Sequence, residues 1–579
     1  MTVCRRAITR GDVAAGVLGV LVTLVVDPGG AAAGRPVAGD WVMSAMTQEM
    51  DRSRERLRLE GYDAPYFLSY TVRDLDRHYV AGKAGAVFQS QSTRVRNASV
   101  DVRVGSYDMD SSEDTEAFFN PRQKWTPNNV APIDPSIPAL RTVLWLLTDY
   151  RYKAALMSYL QVKAREVNDP KAREAGSMTR EEPLVLLEEA PPWSFDRKRW
   201  EGVVREVGAI ANGYPEIFDS SVEVAATRLT RWMVNSEGVR VRTIDDYVQV
   251  MVVAVTRAED GMLLQDTATW YGRSTAELPD PKEVESQTRA LLDRLRRLRT
   301  APVLEPTSVP VWMYPEATGV FFHETVGHRL EGQRQSGEEE GRTFKGQVGQ
   351  RILPDFLDIV DDPLLKAEGG VSLNGFYRVD DEGVHARPAV LVERGVLRGF
   401  LMSRRPLPGF DRSNGHGRSD GFQPPVGRMA NLVIRGASPV PHARMKELLL
   451  EEVRRQGKPF GLVVQTIAGG ATNTSSYGFQ AFKGVPRIAW RVDAETGEET
   501  LVRGFEIVGT PLASINKVVA TSDRYGVFNG YCGAESGMVP VSTVAPDMIF
   551  AEIEIQRAQE AAERPPILPP PWPSQEKTP

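Results

Sequence analysis

Cysteine is almost missing from this chain: the 579 residues contain only Cys4 and Cys532. A disulfide framework is therefore excluded. Long apolar runs are missing too. None reaches the roughly 18 to 20 residues a helix needs to cross a bilayer, which excludes an ordinary integral membrane protein. Neither sign of charge dominates, with 70 Lys+Arg against 76 Asp+Glu and a net charge of -6. A surface built to neutralise phosphates is not expected from such a balance, so no nucleic-acid partner is expected either. What is present, 41% hydrophobic and 25% charged residues, is a globular composition with room for roughly three or four domains.

The two ends differ from the middle. Arg5, Arg6 and Arg10 precede an apolar stretch from Val13 to Val26, and Ala31, Ala32 and Ala33 offer an A-x-A cleavage site. This pattern reads as an export signal over 1–33, giving a periplasmic or extracellular protein. Arg5-Arg6 with Ile8 weakly resembles a twin-arginine signal. Cleavage would remove Cys4 and leave Cys532 as the one thiol. At the other end, 561–579 is rich in proline and has little that can pack, so a disordered or extended tail is expected.

Between the ends the pattern is α+β, with a mixed α/β domain over 34–302 followed by a β-rich domain over 303–560. Helical spacing marks about 41–60, 137–167 and 196–211, with a charged linker from Asp169 to Pro183. Strand alternation marks about 65–107, 221–257 and 263–271. Asp280 and Pro281 open a helix whose apolar stripe is Val284, Leu291, Leu292, Leu295 and Leu298, with Arg294, Arg296, Arg297 and Arg299 on a solvated face. Pro302 stops it. Hairpins are expected around Glu393-Arg394-Gly395 and Glu495-Thr496-Gly497. Glu338-Glu339-Glu340 reads as a solvated run. Asp361-Asp362 and Asp380-Asp381 lack calcium-loop spacing and read as strand ends.

The chemistry is concentrated in His323-Glu324-Thr325-Val326-Gly327-His328, two of only six histidines. It follows a strand-like Val309 to Tyr314 and lies in a helix starting near Pro315. Zinc proteases usually space such histidines four apart, which returns both rings to one face. Here they are five apart, and an ideal helix would leave the rings about 140° from each other. Both can hold one ion only if a π-type bulge or the helix end falls between Glu324 and His328. Gly327 would make that distortion easy.

From here on the chain resembles the TldD/PmbA metallopeptidases (peptidase family U62), and specifically a TldD-like member. The resemblance starts weakly near residue 45 and is strong from about 290 to 553. It is carried, in order, by HETVGHRLEGQ, RTFKGQVGQRI, IVDDP, GFYRVDDEG, NGHGRSDGFQPPVGRMAN and GYCGAESGMVPV. The resemblance implies a third zinc ligand, Cys532, beside His323 and His328. It also implies Glu324 as the base of a peptide-bond hydrolase acting on unfolded or extended peptides. Asn414, His416, Arg418, Arg428, Asn431 and Tyr531 lie in or beside the matching segments and are the candidates for binding substrate or an oxyanion. A homodimer, or a heterodimer with a TldD/PmbA-like partner, is expected on the same ground. Val541-Ser542-Thr543-Val544-Ala545-Pro546 stands where relatives show a glycine-rich stretch, which suggests a reshaped substrate channel. Two other readings compete with the peptidase. One is a non-catalytic assembly or binding subunit with structural zinc. The other is a cysteine hydrolase using Cys532.

Overall fold

The computed structural model describes residues 40–113, 126–168, 175–336, 343–472, 482–509, 511–558, 563–566 and 568. Residues 1–33, read as an export signal, Glu338 to Glu340, part of the charged linker and most of the proline-rich tail lie outside them.

The first half forms one sheet, antiparallel but for a single pairing, backed by helices. Strands β1 (Phe67–Lys83) and β2 (Ala86–Arg103) make a long hairpin. β3 (Val185–Leu187), β4 (Asp219–Asn235), β5 (Arg240–Arg257) and β6 (Leu263–Gly272) complete the sheet in the order β2-β1-β4-β5-β3, with β6 also on β5 and β3 joining β5 in parallel. Helices α1 (Trp41–Arg56) and α2 (Ile137–Asn168) cover Leu68, Tyr70 and Val72 of β1. Helix α3 (Arg197–Ala209) covers Val80 at its other end, and α4 (Pro281–Leu298) joins the same cluster over β5 and β6. These strand residues are all even-numbered and no register shift separates them, so the four helices lie on one face.

α4 shows how local sequence sets an element. Asp280 accepts a hydrogen bond from the Glu283 N–H, Pro281 occupies the first turn, and the Val284, Leu291, Leu292, Leu295 and Leu298 stripe is buried. Each such side chain contributes about 1.5–3 kcal/mol by leaving water. The arginines beside the stripe are more engaged than a solvated face implies. Arg294 pairs with Asp266, Arg297 stacks over Trp490, and Arg299 Nε donates to the Arg257 carbonyl.

The opposite face of this sheet meets the second half at one end. Arg73 and Arg231 both donate to Asp381, and Met233 and Val241 pack with Val379. Asp380 and Asp381 are thus taken up by structural bonds: the Asp380 carboxylate accepts from the Glu382, Val384 and Gly417 N–H groups.

The second half is a mixed sheet of eleven strands. β7 (Thr307–Met313) and β8 (Leu357–Asp361) come first. The small pair β9 (Ala367–Glu368) and β10 (Val371–Ser372) stands apart from the sheet. β11 (Ala389–Glu393) and β12 (Val396–Leu397) form the first expected hairpin, turning through Arg394 and Gly395 at positive φ. β13 (Gly417–Arg418) and β14 (Val426–Gly427) form another small pair. The remaining strands are β15 (Asn431–Gly436), β16 (Phe460–Thr472), β17 (Phe482–Asp493), β18 (Glu499–Val502), β19 (Phe505–Gly509), β20 (Val518–Ala534) and β21 (Gly537–Arg557). β17 and β18 form the second expected hairpin, with Gly497 at positive φ in its turn. β21 is central, bonding to β7, β15, β19 and β20.

Val541 to Pro546 lies within β21 and is wholly buried. It forms strand core where a reshaped channel wall was expected, because β21 runs through the interior of the sheet and the residues on both of its faces are buried. Replacing the fully buried Leu291 of α4 by alanine is expected to destabilise the chain by about 2–5 kcal/mol. Arg297→Ala, on the exposed side, is expected to change stability by less than about 1 kcal/mol. Denaturant midpoints of the two variants measure the difference.

Candidate metal centre

β7 runs into helix α5 (Pro315–Thr325), which starts on Pro315 and is buried almost all round between β16, β20 and β21. His323 and Glu324 sit in its last turn. The helix stops at Thr325; Val326 has φ -114° and ψ -49°, and a tighter 3-10 turn over Gly327–Leu330 carries His328. The five-residue spacing is thus resolved by a helix end, without a π-bulge. Arg329 Nη1 donates to the carbonyls of Glu324 and Thr325, satisfying acceptors that the terminus leaves open.

Gly327 has a different role from the one its position suggested. It is absent from the positive-φ glycines, so backbone freedom is not what the site demands of it. A Cβ there would lie 2.1 Å from Met429 Sδ, so only glycine lets Met429 pack against the turn.

Cys532 comes from β20, opposite Val539 of β21. Its Sγ lies 3.2 Å from His323 Nε2 and 3.4 Å from His328 Nε2, and the three donor atoms all fall within 4.8 Å of one another. All three residues are buried. Tetrahedral zinc bonds of about 2.3 Å to sulfur and 2.0–2.1 Å to nitrogen place N and S about 3.5 Å apart. The spacing and the chemistry of two imidazoles and a thiol therefore fit a metal ion. Burial opposes charge on the Cys532 thiol, but the two histidines outweigh it and hold its pKa well below the ordinary thiol range. Burial likewise disfavours charge on His328, yet Cys532 and Glu331 raise its pKa well above the usual value.

Glu324 Oε2 lies 4.0 Å from His328 Nε2, beside the donors but outside them. Gly470 of β16 makes room for it, since a Cβ at that position would come within 2.3 Å of Glu324 Cγ.

The six residues assigned to substrate separate sharply. Tyr531, next to Cys532, is 46% exposed and is the one exposed residue of the six, Asn414 being half-buried and the rest buried. The other five are braces. His416 is fully buried, with Nε2 3.2 Å from Asp361 and Nδ1 2.9 Å from Asn414 Oδ1. Asn414 accepts from the Met402 N–H and donates to the Phe400 carbonyl. Asn431 donates to the carbonyls of Asp362 and Leu365. Arg418 donates to the carbonyls of Met429 and Pro540. Arg428, fully buried, donates to the Cys532 and Gly537 carbonyls and to Ser536 Oγ.

Sequence reasoning missed Glu331. Its carboxylate is completely buried, accepts from Arg334 Nε at 2.7 Å and lies 3.2 Å from His328 Nδ1. Burial alone would raise this carboxyl, but His328, Arg334 and Arg428 hold it down at about 2. Its place three residues after His328 was the available signal, since a carboxylate at that spacing lies beside the ring. Gly470 carried no such signal, because only the fold brings it to Glu324.

Residues 306–557 match the model of the PmbA/TldA metallopeptidase C-terminal domain. A metalloprotease of Methanocaldococcus jannaschii is 32% identical over 260 residues, which is 45% of this chain and 52% of that protein. A zinc metalloprotease TldD homolog of Saccharolobus solfataricus is 26% identical over 250 residues, 42% of this chain and 51% of the relative. The chain thus spans about half the length of these relatives. The crystal structure of TldE from Thermococcus kodakarensis shares the fold, with a TM-score of 0.57 at 15% identity, covering 88% of this chain and 100% of that one.

Gly327→Ala is expected to lower bound metal and to destabilise the chain by about 1–3 kcal/mol through overpacking. Adding Met429→Ala should restore metal content, which elemental analysis of the purified single and double variants measures.

Proposed function

We propose, from the premise that the chain is a member of the TldD/PmbA family, that it is a zinc-dependent peptidase acting on unfolded or extended peptides. The observation that carries the reading is the convergence of His323, His328 and Cys532 with a carboxylate, Glu324, beside them and outside the donor set. Three protein ligands leave a coordination position free, which is the pattern of catalytic rather than structural zinc. A zinc ion there would supply Lewis acidity, lowering the pKa of a water molecule and polarising the peptide carbonyl.

The chain's own residues do the rest. Glu324 takes a proton from the attacking water and delivers it to the leaving nitrogen, within reach of the donors yet not bound among them. Gly470 leaves the room that carboxylate occupies, since a Cβ there would collide with it. Over Tyr525–Ala534, β20 pairs with β21 alone among the described residues, and Tyr531 stands exposed at that edge. An added peptide strand along β20 would lie next to Cys532, and main-chain bonds would suit substrates of varied sequence. Five of the six candidate side chains brace loops instead of facing solvent, which also favours recognition through the main chain.

A second chain of the same fold, identical or related, is the partner this reading includes; TldE of Thermococcus kodakarensis has such a fold. Export is likewise part of the proposal and rests on the N-terminal sequence.

Hydrolysis of unfolded casein by wild type and by Glu324→Gln tests the mechanism. The variant should keep its metal and lose about 10²- to 10⁴-fold in rate. Unchanged hydrolysis would remove Glu324 as base, and a metal-loaded wild type with no hydrolysis of any peptide library would favour the binding-subunit reading. Gly470→Ala should lower turnover with metal content intact. Gly469→Ala, where a Cβ meets nothing within 4 Å, should leave turnover unchanged.

A further inference from the structure

The metal donors come from two segments some 200 residues apart, the end of α5 and the β20–β21 hairpin. In such a site the hairpin must be held to the helix end independently of the ion, or each binding event would have to order it. A continuous buried chain of charged groups spans this gap. The Glu331 carboxylate lies 3.2 Å from His328 Nδ1 on one side and 3.4 Å from Arg428 Nε on the other. The same guanidinium then grips the hairpin: Nη2 donates to the Cys532 carbonyl at 2.8 Å, and Nη1 donates to Ser536 Oγ at 2.9 Å and the Gly537 carbonyl at 3.1 Å. Glu331 and Arg428 are both fully excluded from solvent. A second strut runs alongside, where Gln333 and Arg334 hold Glu535 at the hairpin turn at 2.9 and 3.0 Å.

We propose that Glu331 and Arg428 are positioning residues that assemble the His323/His328/Cys532 site before metal binds. Glu331 accepts the Nδ1 proton of His328 and so keeps the Nε2 lone pair turned toward Cys532. Arg428 fixes the backbone of Cys532 itself, setting where the sulfur stands. The planar fork is essential, because three acceptors and a carboxylate are arranged around one guanidinium and a lysine ammonium cannot reach them together. Arg428 is thereby removed from the groups that touch substrate or an oxyanion. The inference rests on the metal reading of the site and extends it from the donors to what holds them.

Zinc affinity, measured by competition with a chromophoric chelator, tests the assignment. So does the thiolate-to-metal charge-transfer band of the cobalt-substituted protein. Glu331→Gln, close in shape to the wild-type residue, and Arg428→Lys are each expected to weaken zinc by about 10- to 100-fold and to shift or broaden the cobalt band. Arg404→Lys is the control. Arg404 is equally buried but ties Glu237 and the Thr179 carbonyl, so its zinc affinity should stay within about twofold of wild type. Should Arg428→Lys fail to fold, Glu331→Gln alone decides. Wild-type affinity and an unaltered cobalt band in Glu331→Gln would overturn the proposal while leaving the metal site standing. A wild-type protein that binds neither zinc nor cobalt would overturn both readings.

Discussion

Helix α5 has to end between His323 and His328. Were it to continue, the rings would diverge by about 140° and no ion could touch both. Everything local serves that stop. Val326 stretches the helical backbone to φ -114° while keeping its bond to the Phe322 carbonyl, the next four residues tighten into a 3-10 turn, and Arg329 folds back to bond the freed carbonyls. The termination is made by tertiary groups rather than by a terminal glycine at positive φ, which is the commoner device. A helix stopped by its surroundings is also oriented by them, and α5 is buried on nearly every side. The first donor is therefore as rigid as the sheet around it.

Two close approaches then set the finer geometry. Met429 occupies the space a side chain at position 327 would need, and Glu324 occupies the space a side chain at position 470 would need. Both act through excluded volume, not through a bond, and well-packed interiors transmit such constraints because there is little room to relax. The polar groups complement this. Glu331 and Arg428 are charged, buried and paired at ion-pair distance, an arrangement that tolerates little displacement because an unpaired buried charge is far more unfavourable than a lost surface contact.

Much of this was legible in the sequence where a local rule governs. The α4 stripe, its Asp280 cap and both glycine-containing hairpins follow from spacing and turn chemistry, and the chain has those elements. The His-Glu pair and the need for a break before His328 were equally readable, because helix rotation is a local property. What was not readable depends on approach between distant segments. The spacing marks Gly327 as important but gives the wrong reason, since Met429 is about a hundred residues away and nothing in the local pattern points to it. The arginines of α4 looked free because Asp266 and Trp490, which engage two of them, lie on other elements, the second nearly two hundred residues on. Val541 to Pro546 looked like a channel wall because its composition differs from relatives, yet its position inside a central strand decides its environment.

The same distinction explains why motif membership overstated the number of substrate contacts. Residues gather in a motif because they share a local structural task, and around a site made of irregular backbone that task is mostly to satisfy buried carbonyls and amides. Asn414, His416, Arg418, Arg428 and Asn431 all do this, and their partners are chiefly main-chain groups, with a buried carboxylate, an amide and a hydroxyl besides. Tyr531 differs because it occupies the outward side of β20 next to an inward Cys532, and strand alternation forces the two to opposite faces. A single strand thus presents a donor to the interior and an aromatic ring to solvent within two residues. That juxtaposition ties whatever binds along the edge of β20 to the interior site by geometry alone, with no side chain between them needed to relay its position.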